Sequence, residues 1–488
     1  MSIDVTVKPY WQNFIGGQWT DASDGGRITI LNPATAEPLA EVAKATAKDV
    51  DRAVAAARGC VSSRALSGMR PRIRGQLLVK MGRKLRARKE EISELLTLDC
   101  GKRISEARAE VEGSARYLEF YGGLAPAIEG RYIPLGDGYV DYVVPVPYGV
   151  TAHIIPWNYP CGMIARSLAP ALAAGNAAVI KTSELDPLSG YIFAELAAGA
   201  GLPDGAVNIL CGTGSEAGAA LAAHDDIDQI VFTGSVATGQ SIMRAAVNRI
   251  VPCVLELGGK SAGIVFPDAD LDNVVNNVVT GIFENSGQVC DSMSRLIVHK
   301  DINDELLDRL KARVGALSIG PGIDDHDITP LISEKQLDRV AAYAELGREE
   351  GARAVCGGHK DGRGPGFFMA PTVFADVTPE MRINHEEIFG PVLTTLQFTT
   401  AQEAVSIANG TDFGLAAGIF TADLDRALWC SERLEAGQVH VNEWGVGGPE
   451  TPFGGFKSSG IGREKGLEAM SSYYQSKNVG MRRLNQPS

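Results

Sequence analysis

From Gly149 onward, short apolar runs alternate with amphipathic segments. Val150–Ile155, Ala177–Lys181, Val207–Leu210, Gln229–Phe232 and Val251–Glu256 read as strands. Met163–Ala174, Leu188–Ala200, Ala217–His224 and Gln240–Val247 lie between them with helical spacing. A strand buried on both faces reads as a continuous apolar run, not an alternating one. Such runs separated by helices predict parallel βαβ winding.

A second alternation starts at Ser261. Ser261–Phe266, Leu296–His299, Gly418–Phe420 and Gln438–Val441 read as strands, and Leu271–Phe283, Leu306–Leu317 and Leu424–Arg433 as helices. The pattern predicts a second α/β domain from about Gly259. Ahead of both, Val50–Ala57 and Arg74–Asp99 read as helices that pack outside the first sheet. Ile128–Pro147 reads as a hairpin turning at Gly136-Asp137-Gly138, and Tyr473–Met481 as one more exposed strand. An isolated hairpin is marginal and an exposed edge needs cover. Two readings stay open: pairing across a subunit interface, or a hairpin packed on its own chain.

Composition narrows the function. A chain of 488 residues has room for two or three domains, and 45% hydrophobic with 22% charged residues is an ordinary globular balance. The net charge of −13 disfavours nucleic acid, which demands a basic patch. The basic stretch from Arg70 to Lys89 reads as a solvated helix face. The eight cysteines are scattered with no CxxC, so neither a zinc site nor a disulfide framework is expected, and no metal. Reduced thiols, the absence of a secretory pattern in MSIDVTVKPYWQNFIGG and the lack of any run of about 20 apolar residues predict a cytoplasmic protein.

Two glycine-bearing turns follow successive strands. One is Gly212-Thr213-Gly214-Ser215-Glu216-Ala217-Gly218; the other is Phe232-Thr233-Gly234-Ser235, where a helix begins. Alone, each is more often a plain βα turn. Together they favour a nucleotide, because a helix N-terminus offers unpaired N–H groups to a pyrophosphate. Lys181 and Glu184 follow the strand Ala177–Ile180 and suit ribose hydroxyls, or form an ordinary solvated turn. Cys290 ends a polar, Gly-containing loop rather than an apolar run, unlike Cys211 and Cys253. A lone cysteine is still more often structural than catalytic. Glu256 closes a strand beside two glycines, where a partly apolar cleft raises its pKa toward that of a general base; the plainer reading is an ion pair with Lys260. Asn158, held between Pro156 and Pro160, is either an amide donor to an oxyanion or a helix cap.

Taken together these segments resemble the large NAD(P)-dependent aldehyde dehydrogenase superfamily, over essentially the whole chain. They are PWNYP from Pro156, KTSE from Lys181, FTGS from Phe232, ELGGK from Glu256, FENSGQVC ending at Cys290, EEIFGPV from Glu386 and PFGGFKSSGIGRE from Pro452. The resemblance implies Cys290 as nucleophile, Glu256 as general base and Asn158 as oxyanion donor. It implies cofactor contacts from Ile155, Pro156, Trp157, Lys181, Glu184, Gly214, Phe232, Gly234, Ser235, Leu257, Gly258, Glu387 and Phe389. Lys181 and Glu184 hold the adenosine ribose, and Glu387 and Phe389 position the nicotinamide end. The implied fold is α/β: a Rossmann-like cofactor domain (1–127 and 148–258), an α/β catalytic domain (259–458) and a small β-hairpin oligomerisation element (128–147 and 473–488). Homodimers or homotetramers are implied, and NAD is preferred over NADP because Glu184 repels a 2′-phosphate.

Two departures bear on the substrate. Many relatives carry Trp-Lys where this chain has Arg166-Ser167, and arginine there occurs in relatives handling carboxylate-bearing semialdehydes. Glu284 stands where some of those place a second arginine. Both residues are expected at the aldehyde entrance, paired with each other, since an unpaired charge in a narrow tunnel costs several kcal/mol. A neutral aromatic or aliphatic aldehyde is then favoured, with Tyr159 and Trp444 as contacts. Asp291 beside Cys290 and Glu443 beside Asn442 keep a betaine-like or amino-aldehyde open, and a free Arg166 keeps a semialdehyde open through a bidentate contact to its carboxylate. Two rival classes are a CoA-acylating dehydrogenase, against which the retained Glu256 argues, and a non-catalytic binding protein on the same scaffold.

Overall fold

The computed structural model describes residues 7–484. The first six residues of the expected cofactor domain and the last four of the expected oligomerisation element lie outside them. The architecture is α/β, built around two large sheets.

The first sheet has eight strands in the order Gly460–Ile461, Cys253–Glu256, Gln229–Thr233, Val150–Ile154, Ala177–Thr182, Val207–Cys211, Asn13–Ile15 and Gln18–Thr20. The central five are parallel. All their residues are buried except Cys253, which explains their continuous apolar character. From Val150–Ile154 the chain winds first to one side, through Ala177–Thr182 and Val207–Cys211. It then returns to the other, through Gln229–Thr233 and Cys253–Glu256. This reversal opens a crevice at the carboxyl ends of Val150–Ile154 and Gln229–Thr233, where open parallel sheets take their ligands.

The second sheet has seven strands in the order Arg353–Cys356, Thr372–Ala375, Val392–Phe398, Arg295–His299, Ala262–Val265, Ala416–Phe420 and Gln438–Val441. Only Arg353–Cys356 runs antiparallel. A third, three-stranded antiparallel sheet joins Arg131–Ile133, Tyr139–Pro147 and Tyr474–Arg482. The tail therefore pairs with the hairpin of its own chain, in unbroken register from Tyr474↔Pro147 to Arg482↔Tyr139. The tail is thus a largely exposed strand, as expected, and it pairs within its own chain. Antiparallel pairing satisfies its backbone, and the outer edges of Arg131–Ile133 and Tyr474–Arg482 have no further strand among the described residues.

The predicted helix Arg74–Asp99 is two helices, Pro71–Ala87 and Lys89–Cys100, which break at Arg88 (φ −107°, ψ 21°). Lys84 and Arg86 suit a helix C-terminus, and Glu90 and Glu91 suit the next N-terminus. Arg88 is tied to Glu91 (2.6 Å) and Glu195 (2.8 Å). Several other elements were not anticipated, four of which bear on the packing. Ile104–Leu124 packs against Pro71–Ala87 and Pro160–Ala174, and Glu334–Glu349 flanks the second sheet; the strands Arg27–Asn32 and Glu37–Ala43 pair near the N-terminus. Ile104–Leu124 and Pro71–Ala87 cross closely at Gly75 and Gly122. A Cβ on Gly122 would lie 2.7 Å from the Gly75 carbonyl and 2.9 Å from Val79 Cγ2. No helix among the described residues is long and apolar enough to cross a membrane.

Candidate active site

The helix Leu271–Phe283 is capped by Asp270, whose carboxylate accepts from the Asp272 and Asn273 N–H groups. After Phe283 the chain enters the left-handed region at Asn285 (φ 45°), Ser286 (φ 53°) and Gly287 (φ 74°). Such conformations cost about 1–2 kcal/mol for each non-glycine residue and persist only where neighbours enforce them. Here they do. The Asn285 N–H donates to Glu106 (3.2 Å), Asn285 Nδ2 to the Asn158 carbonyl (3.0 Å) and Ser286 Oγ to the Thr329 carbonyl (2.7 Å). The Gln288 side chain accepts from the Ile332 N–H (2.9 Å). This anchored loop delivers Cys290, half-buried, between two cavities.

One cavity, of about 210 Å³, lies at the carboxyl ends of the first sheet. Pro156, Trp157, Asn158, Gly234, Ser235, Glu256, Leu257, Gly258, Glu387 and Phe389 line it with Cys290. Ser235 caps the helix Val236–Val247 through its side chain. Phe389 (φ 61°) meets Trp157 edge-on, with ring centroids 5.2 Å apart. The Glu387 carboxylate accepts from the Gly259 N–H (3.1 Å), and burial raises it to about 7. Thr233 also lines it, with Gln336 and Arg339 from the unanticipated helix Glu334–Glu349.

Ile155, Lys181, Glu184, Gly214 and Phe232 lie outside this cavity. Lys181 donates to Glu184 (2.8 Å), and the Gly214 N–H donates to its other oxygen (3.3 Å). Burial opposes ionisation of Glu184, but these partners prevail and hold it below the usual carboxylate range. Phe232 is a buried core residue whose ring supports Gly234; a Cβ there would lie 2.5 Å from it. Ile155 donates its N–H to the Lys181 carbonyl (3.0 Å).

The second cavity, of about 320 Å³, opens on the opposite side of Cys290. Tyr159, Arg166, Glu284, Asp291 and Trp444 line it, with Tyr117, Met163 and Phe453. Here the expected Arg166–Glu284 pair does not form. Arg166 pairs with Glu464, both nearly fully buried, and its guanidinium lies 4.9 Å from the Phe453 ring centroid. Glu284, exposed at the mouth, accepts from the Tyr159 hydroxyl (2.7 Å). The reason is depth. A guanidinium inside the protein takes a counter-ion that is itself inside, whereas Glu284 keeps water. Glu464 stands in the PFGGFKSSGIGRE segment, whose motif signalled importance but not this role.

Burial pushes the Cys290 thiol well up; Asp291 adds to this and Arg166 opposes it. Glu256 is 2% exposed, and neither carboxylate oxygen has a hydrogen-bond partner. Burial and then Glu464 raise its pKa, against the pull of Arg166. It makes no salt bridge with Lys260, whose ammonium is also unpartnered and lowered to about 7 by burial and Arg295. Asn158 does not act as a side-chain cap; its Nδ2 donates to the Gln288 carbonyl (3.0 Å). Among the described residues no cluster of three or more His, Cys, Asp or Glu is placed to hold a metal.

A doubly wound sheet with a cavity at its switch point, a second α/β unit and a cysteine that lines two cavities define an α/β enzyme scaffold. The chain belongs to the aldehyde dehydrogenase family, whose pattern it matches over residues 19–479. It is 44% identical over 478 residues to a betaine aldehyde dehydrogenase of Rhizobium etli (strain CIAT 652), covering 97% of each chain. It is 41% identical over 471 residues to a hydroxyisobutyraldehyde dehydrogenase of Mycolicibacterium austroafricanum, covering 96% of this chain and 93% of that one. The solved NAD+ complex of an aldehyde dehydrogenase from Bacillus cereus superposes with a TM-score of 0.96 at 38% identity, over 98% of this chain and all of that one.

Proposed function

We propose that the protein oxidises an aldehyde to a carboxylic acid with NAD, through a thioester on Cys290. The carrying observation is that Cys290 alone of the eight cysteines faces both cavities. On this reading residues 1–127 and 148–258 bind the cofactor, 259–458 form the catalytic domain, and 128–147 with 473–488 join subunits into a homodimer or homotetramer. A free nucleophilic thiol suits a reducing cytoplasm.

The first cavity fits the nicotinamide end of the cofactor. The capped helix start at Ser235 suits a pyrophosphate, and Glu387 with Phe389 suits the nicotinamide ribose and ring. Lys181 and Glu184 take the adenosine ribose. Glu184, ionised, disfavours a 2′-phosphate by about 1–4 kcal/mol, depending on local screening. NAD, when bound, accepts the hydride.

The chain's own residues do the rest. Glu256 removes the thiol proton, and the Cys290 sulfur forms a C–S bond to the aldehyde carbon. The resulting oxyanion is held by the free N–H of the Asn158 amide and the Cys290 backbone N–H. Loss of hydride from that carbon leaves the thioester. Glu256 gives the thiol proton up to solvent and, ionised again, takes a proton from water; the hydroxide oxygen attacks the thioester, and the C–S bond breaks to return the Cys290 thiolate. Aldehyde, water and NAD+ become carboxylate, NADH and two protons.

Arg166, neutralised by Glu464, is not available to a substrate carboxylate, and Glu284 with Asp291 repels one. The aromatic walls favour an aldehyde with an uncharged aromatic or aliphatic body. A second reading, an aldehyde bearing an ammonium, is favoured by Glu284 and Asp291 beside Tyr159 and Trp444. The test is NADH formation on benzaldehyde, hexanal, betaine aldehyde and succinic semialdehyde, with NAD or NADP and with or without CoA. Hexanal or benzaldehyde should lead and succinic semialdehyde trail; betaine aldehyde in front selects the second reading. Strict dependence on CoA would overturn hydrolysis by Glu256. Cys290→Ala should abolish turnover while retaining NAD binding, and residual turnover in pure protein would move the nucleophile elsewhere.

A further inference from the structure

Lys102 has no part in the chemistry above, yet its side chain is fully buried beside the site. It follows Gly101, whose left-handed backbone (φ 84°) ends the helix Lys89–Cys100, and it precedes Ile104–Leu124. An ammonium has three N–H donors, and here each has a target. One meets the Glu110 carboxylate in an ion pair. One donates to the Asn158 carbonyl (2.9 Å). The third faces the Tyr159 ring, whose centroid is 3.9 Å from Nζ. Glu110 in turn accepts from the Gly162 N–H (2.8 Å). Burial alone would discharge the lysine, but Glu110 outweighs it and keeps the ammonium charged.

All these contacts converge on residues 158–162, the end of the turn after the strand Val150–Ile154 and the start of the helix Pro160–Ala174. A buried ion pair adds little net stability compared with apolar side chains of equal volume. What it supplies is a fixed point. The Asn158 carbonyl is gripped from one side by Lys102 and from the other by Asn285 Nδ2 (3.0 Å), which belongs to the loop that delivers Cys290. The peptide plane of Asn158 is thus set relative to the nucleophile.

We propose that Lys102, held by Glu110, is a positioning residue: it pins the Asn158 carbonyl and the Tyr159 ring so that the Asn158 amide meets the oxyanion on Cys290. This rests on the reading of Asn158 as the oxyanion donor. Misplacement of a catalytic group by about 1 Å costs roughly 10²-fold in rate, and that is the expected loss.

The experiment uses the full-length protein and the pre-steady-state burst of NADH with hexanal. The burst amplitude counts competent sites and the burst rate reports the step through the oxyanion. Lys102→Met combined with Glu110→Gln removes the charges together and avoids a stranded carboxylate. The burst rate should fall about 10²-fold with full amplitude, unchanged affinity for NAD and an unchanged rate of Cys290 alkylation by iodoacetamide. A reduced amplitude at the wild-type rate would mean a merely structural role and overturn the proposal. If the double variant fails to fold, Lys102→Gln, which is too short to reach Asn158, carries the same expectation, and a wild-type burst rate there also overturns it. Asn158→Ala separates the two levels. If it leaves the burst rate intact, the reading of Asn158 itself fails. If it slows the burst and the Lys102 variants do not, only the inference about Lys102 fails. In the Asn158→Ala background the Lys102 substitutions should add little further loss.

Discussion

At the scale of residues, the site holds four neighbouring ionisable groups whose states depend on one another: Cys290, Glu256, Arg166 and Glu464. Glu256 shows how. Its pKa is raised in the folded protein, so the native state binds this proton more tightly than the unfolded chain does. Its stability contribution is present at low pH and is lost as pH rises through the folded pKa. On the proposed mechanism activity runs the opposite way, since Glu256 must be ionised to act as base. The acid limb of the rate profile is therefore expected above the ordinary carboxylate range, and Glu256→Gln should abolish that limb. The same variant should slow thiolate formation, deacylation or both by about 10²–10⁴-fold; where deacylation dominates, one burst of NADH precedes a slow steady state, and an unchanged steady-state rate excludes Glu256 as the base. Arg166→Met strands Glu464 inside the protein and should destabilise it by about 3–5 kcal/mol, seen in denaturant unfolding. The ratio of activities on succinic semialdehyde and hexanal should stay constant; a selective collapse on the semialdehyde would mean that Arg166 reads a carboxylate after all. Cys290, Glu256 and Asn158, which line one cavity, could be singled out in the sequence because their motifs are local. Glu464 and Lys102 were not, because their meaning comes from partners distant in sequence: nothing around Arg166 announces Glu464, and nothing around Lys102 announces Asn158.

At the scale of elements, legibility followed burial. The central strands of the first sheet were readable as uninterrupted apolar runs, and their helices as periodic ones. The helix Ile104–Leu124 escaped notice because its buried stripe includes Ala107, Ser114, Ala115 and Gly122, small residues of low apolar contrast. Yet it carries Glu106, Glu110 and Tyr117 to the site. Its small residues have a purpose that only packing discloses: they let it lie close against Pro71–Ala87. Gly122→Val places methyl groups where the Gly75 carbonyl and Val79 already sit. Overpacking of this kind costs about 1–3 kcal/mol, so a lower midpoint in urea is expected; an unchanged midpoint would show that the two helices can spread. The break at Arg88 was legible in principle, in the switch from Lys84 and Arg86 to Glu90 and Glu91, but helical periodicity continues through it and masks the stop.

At the scale of the whole molecule, the chain does not run from one domain to the next and finish. After the second sheet it returns to the first. Gly460–Ile461 pairs antiparallel with Cys253–Glu256, Glu464 meets Arg166, and Tyr474–Arg482 closes on Tyr139–Pro147. Removing the chain from Tyr474 onward leaves a lone hairpin, which is marginal in water. The truncated protein should run as a smaller species by light scattering than the full chain, and an equal mass would show that this sheet does not join subunits. The returning segment also sets a clock. The partner of the edge strand Cys253–Glu256 is made some two hundred residues later, which at ribosomal speed is roughly 10–40 s. For that interval the growing chain displays an unpaired strand ending in Glu256, a sticky template for other chains, and Arg166 awaits its counter-ion. The pairing of Cys253–Glu256 and the counter-ion of Arg166 are thus complete only once Gly460–Glu464 has docked, so the site around Cys290 waits for nearly the whole chain.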